Sequence, residues 1–193
     1  MHTICVFCGS REGERTSYVE AARLVGKTLA RRGLRVVYGG GKVGLMGAVA
    51  DAALEEGGEV VGVIPEALVS NEIAHAGLTK LHVVGSMHER KKLMVDLSDG
   101  FMTLPGGYGT MEEFFEVLSW AQLSIHEKPC ALLDVDGYYE PLSALFGKMV
   151  EEGFVHPGHR SLVLVEQDLD VLLDLMEFYA PPETKKWIAP RDR

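Results

Sequence analysis

The sequence is poor in positive charge. Lysine and arginine together number 19 against 28 aspartates and glutamates, so the 193-residue chain has a formal net charge of −9. General nucleic-acid binders and membrane-surface binders need a positive field, and the charge balance argues against both classes. A single-stranded DNA binder is disfavoured further because the sequence shows no groove pattern of basic and aromatic residues. A small phosphorylated ligand held by local groups stays compatible with this charge.

The sequence also has few cysteines and no long apolar run. No run approaches the roughly 20 apolar residues of a membrane span. The first ten residues, MHTICVFCGS, lack a basic region followed by a long apolar segment, so we predict a cytoplasmic protein without a secretory signal. Three cysteines are an odd number and do not indicate a disulfide framework. Cys5 and Cys8 have C-x2-C spacing, but no second pair completes a zinc site, and TICVFC is typical of a buried strand.

Apolar, strand-like runs alternate with helical patterns along the whole chain. We predict strands over about 2–8, 34–38, 59–64, 80–84, 101–104, 130–135 and 162–165. We predict helices over about 17–32, 43–56, 86–97, 110–124, 138–152 and 169–179, with a loop-rich segment over 66–78. This alternation predicts one α/β domain over about 1–180, followed by a tail over 181–193. The expected architecture is a Rossmann-like, doubly wound parallel sheet with helices on both faces, which binds ligands beyond the carboxyl ends of its strands.

Two glycine-rich turns each join a predicted strand to a predicted helix. They are GGGKVG at 39–44 and GGYGT at 106–110, and a Gly-Ser turn follows the first strand. Glycine lets the backbone approach a ligand, and a helix start offers N–H groups with a partial positive charge, so together they suit a phosphate. The predicted phosphate- or nucleotide-binding residues are Ser10, Gly40, Gly41, Lys42, Gly106, Gly107, Gly109 and Thr110. For Ser10 and Lys42, a position in a solvated loop is the alternative.

The fingerprints of NAD-binding and ATP-hydrolysing proteins are missing from these turns. The first turn reads CGSREG instead of G-x-G-x-x-G, and no acidic residue ends the strand EVVGVI to hold a dinucleotide ribose. The sequence also has no G-x-x-x-x-G-K-[ST]. These differences argue against an NAD-binding and an ATP-hydrolysing protein, and they do not affect the prediction of a phosphate site.

Carboxylates stand at the helix start where an anion would be expected. If Thr110 is the N-cap, the pattern T-x-x-E makes Glu113 its partner in a capping box, and this structural role alone can explain the pattern. Glu113 and Glu116, however, lie on one helical face, and carboxylates beside a phosphate need a cation or a polyol. The preceding basic helix, for which Ser86 is the predicted N-cap, supplies the cation. Within it we expect Arg90 to reach the ligand, and a solvated basic face is the alternative.

Three motifs can be compared with known families: PGGYGTMEE at 105–113, MHERK at 87–91 and YGGGKVGLMG at 38–47. They resemble the Lonely Guy family of cytokinin riboside 5′-monophosphate phosphoribohydrolases, long called possible lysine decarboxylases. The family pattern P-G-G-x-G-T-x-x-E is matched at every fixed position, and the resemblance extends from the first strand to about residue 180. It implies hydrolysis of the N-glycosidic bond of AMP or an N6-prenylated relative such as isopentenyl-AMP. The products would be the free base and ribose 5-phosphate.

The resemblance implies that Arg90 and Glu113 form the catalytic pair. A carboxylate at Glu113 would face the ribose, where positive charge develops, as base, nucleophile or electrostatic stabiliser. Arginine stays protonated, so Arg90 would act as a hydrogen-bond donor rather than as an acid. The predicted base and ribose pocket consists of Met87, His88, Lys91, Met94 and Glu116. For the two methionines a core position is the alternative.

The resemblance further implies a homodimer that needs no metal and no organic cofactor. His156 and His159 lie in a proline-glycine loop without further candidate ligands, which agrees with the absence of a metal site. A lysine decarboxylase would need pyridoxal phosphate on a Schiff-base lysine, and no lysine has an evident setting for it. The alternative function is a non-catalytic nucleotide-binding module, a sensor or carrier, which would need the phosphate donors but would have no need of Glu113.

Overall fold

A computed structural model of the protein describes residues 1–69 and 74–183. Its strands are β1 (Thr3–Phe7), β2 (Arg35–Tyr38), β3 (Val60–Pro65), β4 (Lys80–Val84), β5 (Gly100–Thr103), β6 (Cys130–Leu133) and β7 (Val163–Glu166). Its α-helices are α1 (Thr16–Arg31), α2 (Gly44–Glu55), α3 (Met87–Leu97), α4 (Tyr108–Gln122), α5 (Glu140–Glu151) and α6 (Leu169–Glu177). Short 3-10 turns cover Glu66–Leu68, Val135–Gly137 and Pro157–Leu162. Every predicted strand and helix is present, and no end moves by more than two residues.

The seven strands form one sheet in the order β4-β3-β2-β1-β5-β6-β7. Every neighbouring pair is parallel, and in the centre Cys5 of β1 lies between Val37 of β2 and Phe101 of β5. The prediction of a doubly wound, Rossmann-like α/β sheet is confirmed. The predicted tail over 181–193 falls outside the described residues from residue 184 onward.

Helices cover both faces of the sheet, as the apolar strands require. Side chains alternate along β1, so that Ile4 and Val6 enter one core while Cys5 and Phe7 enter the other. The first core is covered by α1, α2 and α6, and the second by α3, α4 and α5. Both faces of the central strand are therefore buried, which explains why its sequence reads as a continuous apolar run.

The position of the crevice follows from the strand order. The chain leaves β4 at one edge of the sheet and returns through α3 to β5, which lies beside β1. At such a switch point the connections after the two strands diverge and leave a crevice at their carboxyl ends. The turns are joined there, because Gly9 N donates to Pro105 O (3.1 Å) and Leu45 N donates to Gly9 O (3.0 Å). The turn after β1, the loop after β5 and the start of α2 therefore meet at the carboxyl ends of the central strands.

The cysteines are free and buried in the cores. Burial raises the pKa of all three thiols, and for Cys130 the pKa is about 12. The negative charge of Glu113 raises the pKa of Cys5 and Cys8 further. Among the helices in the described part of the chain, none combines the length and apolar character needed to cross a membrane.

Candidate active site

The crevice at the switch point contains a cavity of about 840 Å³. Its walls are the turn after β1, the loop after β5, the first turn of α2 and the first turn of α3. The N-terminus of α4 also opens into it, so that the cavity joins a helix start to side chains from both faces of the sheet. Such a cavity is large enough for a nucleotide-sized ligand.

The start of α4 differs from the sequence prediction. The helix begins at Tyr108, its N-cap is Gly107 without a side-chain cap bond, and Met111 N already donates to Gly107 O (3.1 Å). Thr110 lies inside the first turn and is only 4% exposed. The alternative in which Thr110 is the N-cap and forms a capping box with Glu113 is therefore wrong. The physical reason is that Tyr108 and Gly109 already adopt helical geometry, which moves Thr110 from the cap to the third helical position.

The glycines of this loop have two different functions in the structure. A Cβ on Gly106 would collide with Oγ1 of Thr110, so this glycine is required by packing. A Cβ on Gly107 or Gly109 would have no neighbour within 4 Å from other parts of the described chain, so these two leave the helix start open. Because the first N–H groups of a helix have no acceptor within it, a ligand can approach them here. A helix start of this kind favours an anion.

Arg90 and Glu113 meet beside this helix start. Ser86 is the N-cap of α3, as predicted, because its Oγ accepts from the Glu89 N–H (3.2 Å). Arg90 follows one turn later and is 5% exposed, and its Nη2 lies 3.5 Å from Oε1 of Glu113. Its Nε is buried and has no hydrogen-bond partner within residues 1–69 and 74–183. The Arg90 side chain lies against Gly39, where any Cβ would collide with Nη2.

Lys91 does not line the cavity and connects α3 to α4. Its Nζ lies 2.6 Å from Oε1 of Glu112 and 3.0 Å from Oε1 of Glu116. Burial alone would lower the pKa of Lys91, but the hydrogen bonds to the two carboxylates outweigh it and raise the pKa. The contact of Arg90 with Glu113 therefore lies in the cavity wall, and the two contacts of Lys91, with Glu112 and Glu116, lie beside it.

The predicted site residues fall into two groups. Those that line the cavity are Ser10, Met87, Arg90, Gly106, Gly107, Gly109, Thr110 and Glu113. The others do not line it: they are Gly40, Gly41, Lys42, His88, Lys91, Met94 and Glu116. All four predicted phosphate-site residues of the second glycine turn therefore line the cavity, whereas those of the first turn lie outside it.

The residues outside the cavity have evident local environments. Gly40 O accepts from His75 N (3.0 Å), and Gly41 pairs with Ala74, so this turn is held by the segment after β3. Lys42 and His88 are exposed, and Met94 is part of the core under α3. Glu116 is occupied by Lys91.

Several cavity residues were not singled out from the sequence. They are Arg11, Glu12, Tyr18, Leu45, Met46, Leu68, Tyr108, Glu112 and Tyr138. Arg11 could have been noticed because it follows Ser10 in the same turn. Tyr138 gives no local signal, since it reaches the cavity from the turn before α5 and donates through its hydroxyl to Gly106 O (2.6 Å). Gly39 does not line the cavity; it belongs to the glycine turn at 39–44, and its contact with Arg90 on a distant helix has no local signal.

The site contains neither a lysine for Schiff-base chemistry nor a set of metal ligands, as far as the described residues extend. The sequence predicts no metal at His156 and His159, and one contact of His156 bears on this prediction. His156 Nδ1 accepts from Gly158 N (3.1 Å), so this nitrogen serves the local turn. What the cavity does bring together is the open start of α4 and a carboxylate, Glu113, in contact with the guanidinium of Arg90.

These features define a class: Rossmann-like α/β proteins with an open, glycine-lined helix start beside an arginine–carboxylate pair. The family profile described as "Possible lysine decarboxylase" matches residues 46–176. The chain is 52% identical over 169 residues to a cytokinin riboside 5′-monophosphate phosphoribohydrolase of Rhodococcoides fascians, covering 87% of this chain and 85% of the relative. It is 46% identical over 178 residues to an enzyme of the same name from Arabidopsis thaliana, covering 92% and 83%. The chain belongs to this family of phosphoribohydrolases.

A comparison of folds agrees with this assignment. The molybdenum cofactor binding protein of Rippkaea orientalis superposes with a TM-score of 0.69 at 21% identity, covering 91% of this chain and 95% of that one. At this identity the likeness concerns the fold alone. The same Rossmann-like sheet therefore occurs in proteins with other ligands, and the function has to be argued from the site.

Proposed function

We propose that this protein hydrolyses the N-glycosidic bond of AMP or an N6-modified relative such as isopentenyl-AMP, releasing the free base and ribose 5-phosphate. The observation that carries the proposal is the 3.5 Å contact of Arg90 with Glu113, directly beside an open, glycine-lined helix start. Relatives that carry the name of this activity are about half identical to the chain over most of its length.

The 5′-phosphate binds at the start of α4. The N–H groups from Gly107 to Thr110 have no acceptor within the helix, and the helix dipole favours negative charge there. Ser10 and Arg11 line the opposite turn of the same cavity and supply a hydroxyl and a positive charge. A phosphate in this position brings the attached ribose close to Glu113, which lies one turn further along the same helix.

Glu113 and Arg90 then act on opposite charges in the transition state. Breaking the C1′–N9 bond leaves positive charge on the ribose, which a carboxylate at Glu113 stabilises. Negative charge develops on the departing base, and Arg90 stabilises it as a permanently charged hydrogen-bond donor. Water supplies the hydroxyl that ends on C1′ and the proton that the free base carries away. The partial enclosure of both side chains strengthens these electrostatic effects.

The remaining parts of the proposal concern the state of the protein. A homodimer in the cytoplasm is proposed with it, and the three free thiols are consistent with a reducing compartment. Light scattering of the purified protein tests the dimer, since a particle of twice the chain mass is expected. A particle of the mass of one chain would contradict this part alone.

The proposed reaction is tested by incubating the purified protein with AMP and with isopentenyl-AMP and separating the products by chromatography. Free base and ribose 5-phosphate in equal amounts are the expected products, and the ratio of the two rates identifies the preferred base. Release of no base from either nucleotide, while the nucleotide is still bound, would contradict hydrolysis. That outcome would instead favour a non-catalytic nucleotide-binding module.

A further inference from the structure

We propose that Tyr138 is a positioning residue that orients the Gly106–Gly107 peptide and thereby directs the N–H of Gly107 toward the 5′-phosphate. Tyr138 lies in the turn between the 3-10 segment Val135–Gly137 and α5, and it lines the cavity. The inference rests on the proposed function, because it needs a phosphate-bearing ligand at the start of α4.

The orientation follows from the planarity of the peptide bond. The Tyr138 hydroxyl donates to the carbonyl oxygen of Gly106, at 2.6 Å. In a planar trans peptide the C=O of one residue and the N–H of the next point in opposite directions. Holding Gly106 O at Tyr138 therefore fixes the direction of the Gly107 N–H, which belongs to the N-cap of α4 and is one of the donors available to an anion.

This peptide needs a restraint from outside because it joins two glycines. Glycine has the fewest steric limits on its backbone angles, so a Gly–Gly peptide can rotate with little resistance. Gly106 is packed against Thr110, but around the Cβ position of Gly107 no atom of the described residues lies within 4 Å. The openness that admits a ligand also removes the packing that would hold the peptide, and the Tyr138 hydroxyl supplies the missing contact.

Tyr138 is itself held in place. Its ring packs edge-on against Tyr18, with centroids 5.8 Å apart, and against Tyr139, with centroids 5.0 Å apart. The turn before it is attached to α1, because Ser17 Oγ donates to Oδ2 of Asp136 (2.6 Å). The hydroxyl has one proton, and the bond to Gly106 O uses it, so Tyr138 cannot donate to a phosphate at the same time. Its effect on the ligand is therefore exerted through the peptide.

The neighbouring tyrosine provides a matched control. The Tyr139 hydroxyl donates to Leu104 O, also at 2.6 Å, and so contacts the same loop two residues before Gly106. The peptide after Leu104 leads into Pro105, which has no N–H. The Tyr139 bond therefore directs no donor, although it is equal in length and more deeply buried. Only the bond of Tyr138 is expected to matter for phosphate affinity beyond its effect on the fold.

The experiment compares Tyr138→Phe and Tyr139→Phe with the wild type in the intact protein. Binding of ribose 5-phosphate is measured by calorimetry, which needs no turnover, and kcat and KM are measured with AMP. Tyr138→Phe is expected to weaken ribose 5-phosphate binding about tenfold, or about 1.4 kcal/mol. It should raise KM for AMP by a similar factor with little change in kcat, because the phosphate contact is the same before and during bond cleavage. Tyr139→Phe is expected to lower the thermal unfolding midpoint and to leave the affinity unchanged.

Two outcomes would overturn the inference. One is wild-type affinity for ribose 5-phosphate in Tyr138→Phe, and the other is an equal loss of affinity in both variants, which would mean general loosening of the loop. Should Tyr139→Phe fail to fold, the KM-against-kcat split of Tyr138→Phe decides the matter alone, and a loss of kcat with unchanged KM overturns the inference. If the wild type binds ribose 5-phosphate but releases no base from AMP, the proposed reaction fails. The calorimetric comparison then still decides the role of Tyr138.

Discussion

The two helix pairs on opposite faces of the sheet are held together in different ways. On one face, α1 approaches α2 so closely that a Cβ on Gly26 would collide with Val49 O and would lie 3.0 Å from Ala53 N. On the other face, α3 is joined to α4 by charges, since Lys91 contacts two glutamates and Arg90 contacts Glu113. We call these the packed pair and the charged pair.

The difference shows where stability and chemistry reside. Close backbone packing has one arrangement, and any added atom disturbs it. Partly buried ion pairs contribute little net stability, because desolvation offsets their attraction, but they do fix the relative positions of charged groups. The packed pair therefore supports the sheet, while the charged pair presents a guanidinium and a carboxylate to the cavity. Substitutions in the first should affect stability and substitutions in the second should affect activity.

The largest expected effect is that of Glu113→Gln in the charged pair. The substitution keeps the size of the side chain and removes the negative charge that stabilises the ribose in the transition state. The turnover rate should fall about 100-fold or more, which corresponds to about 2.7 kcal/mol. Steady-state rates with AMP measure this, and denaturant unfolding shows whether the fold is retained. Turnover at the wild-type rate would refute the catalytic role, and loss of stability without selective loss of turnover would make the residue structural.

Gly26→Val tests the packed pair. The added atoms collide with the backbone of α2 and should lower the free energy of unfolding by about 2 kcal/mol, while the folded fraction keeps its kcat. Urea denaturation measures the first quantity and active-site-normalised rates measure the second. Gly147→Ala in α5 is the control, because among residues 1–69 and 74–183 a Cβ there would have no neighbour within 4 Å outside its own helix, and this substitution should stabilise the protein slightly. A fall in kcat with unchanged stability would contradict the division between the two pairs.

Lys91→Met tests whether the second ionic contact of the charged pair supports the first. Without Lys91, Glu112 and Glu116 lose their cation, and α4 loses a tie that holds Glu113 opposite Arg90. We expect kcat to fall about fivefold, or about 1 kcal/mol. Lys92→Met is the matched control, since Lys92 pairs with Asp96 one turn further along the same helix and both side chains are exposed. Equal effects of the two substitutions would show that the tie between the helices is unimportant for catalysis.

The smallest expected effect comes from His126 after the end of α4. Its Nε2 lies 2.9 Å from Val117 O and its Nδ1 accepts from Lys128 N (3.2 Å), so the neutral ring satisfies both contacts. Burial lowers the pKa of His126 in the folded state, and the nearby Lys128 lowers it further against the effect of the Val117 bond. The unfolded chain, with a histidine pKa of about 6.5, therefore takes up a proton first as the pH falls.

The sign of the pH dependence follows from this order. Stability that is present above about pH 6.5 should be lost as the pH falls toward the folded pKa of His126. Urea denaturation at pH 7.5 and at pH 5.5 measures the loss, and His126→Asn should reduce it. His159 contributes in the same direction, because burial and the neighbouring His156 lower its pKa too. An unchanged pH dependence in His126→Asn would show that His126 is not the source of the loss of stability.

Most of the fold could be predicted because its signals are local. The apolar runs, the glycines after helices and the alternation of patterns locate every strand and helix within two residues. The order of the strands has no such signal, since it depends on contacts between segments far apart in sequence. The N-cap alternative at Thr110 shows that even a local pattern can misplace the start of a helix. The T-x-x-E pattern is a valid cap signature, but whether the chain is already helical at Tyr108 depends on how the loop packs against Gly9 and Tyr138.

The two central residues of the candidate site, Arg90 and Glu113, could be predicted from the sequence, whereas several residues around them could not. Arg90 and Glu113 stand in motifs that a family resemblance makes recognisable, and the structure brings them together. The prediction for Lys91 depended on which side of α3 faces the cavity, and periodicity alone could not decide between the cavity and α4. Tyr138 could not be found, because its role depends on Gly106, a partner on another element. Gly39 stands in a recognised glycine turn, but its contact with Arg90 could not be predicted from that turn.

The three buried thiols can report when parts of the folded protein open to solvent. Thiol reagents react with the thiolate, and Cys5, Cys8 and Cys130 are both enclosed and held in the protonated form. Alkylation should therefore proceed only through molecules that have opened, and its rate at neutral pH counts those events. Cys8 lies at the wall of the cavity, whereas Cys130 belongs to the core strand β6. Mass spectrometry of the alkylated protein would thus separate exposure at the cavity wall, reported by Cys8, from unfolding of the whole sheet, reported by Cys130, and no new residue has to be introduced.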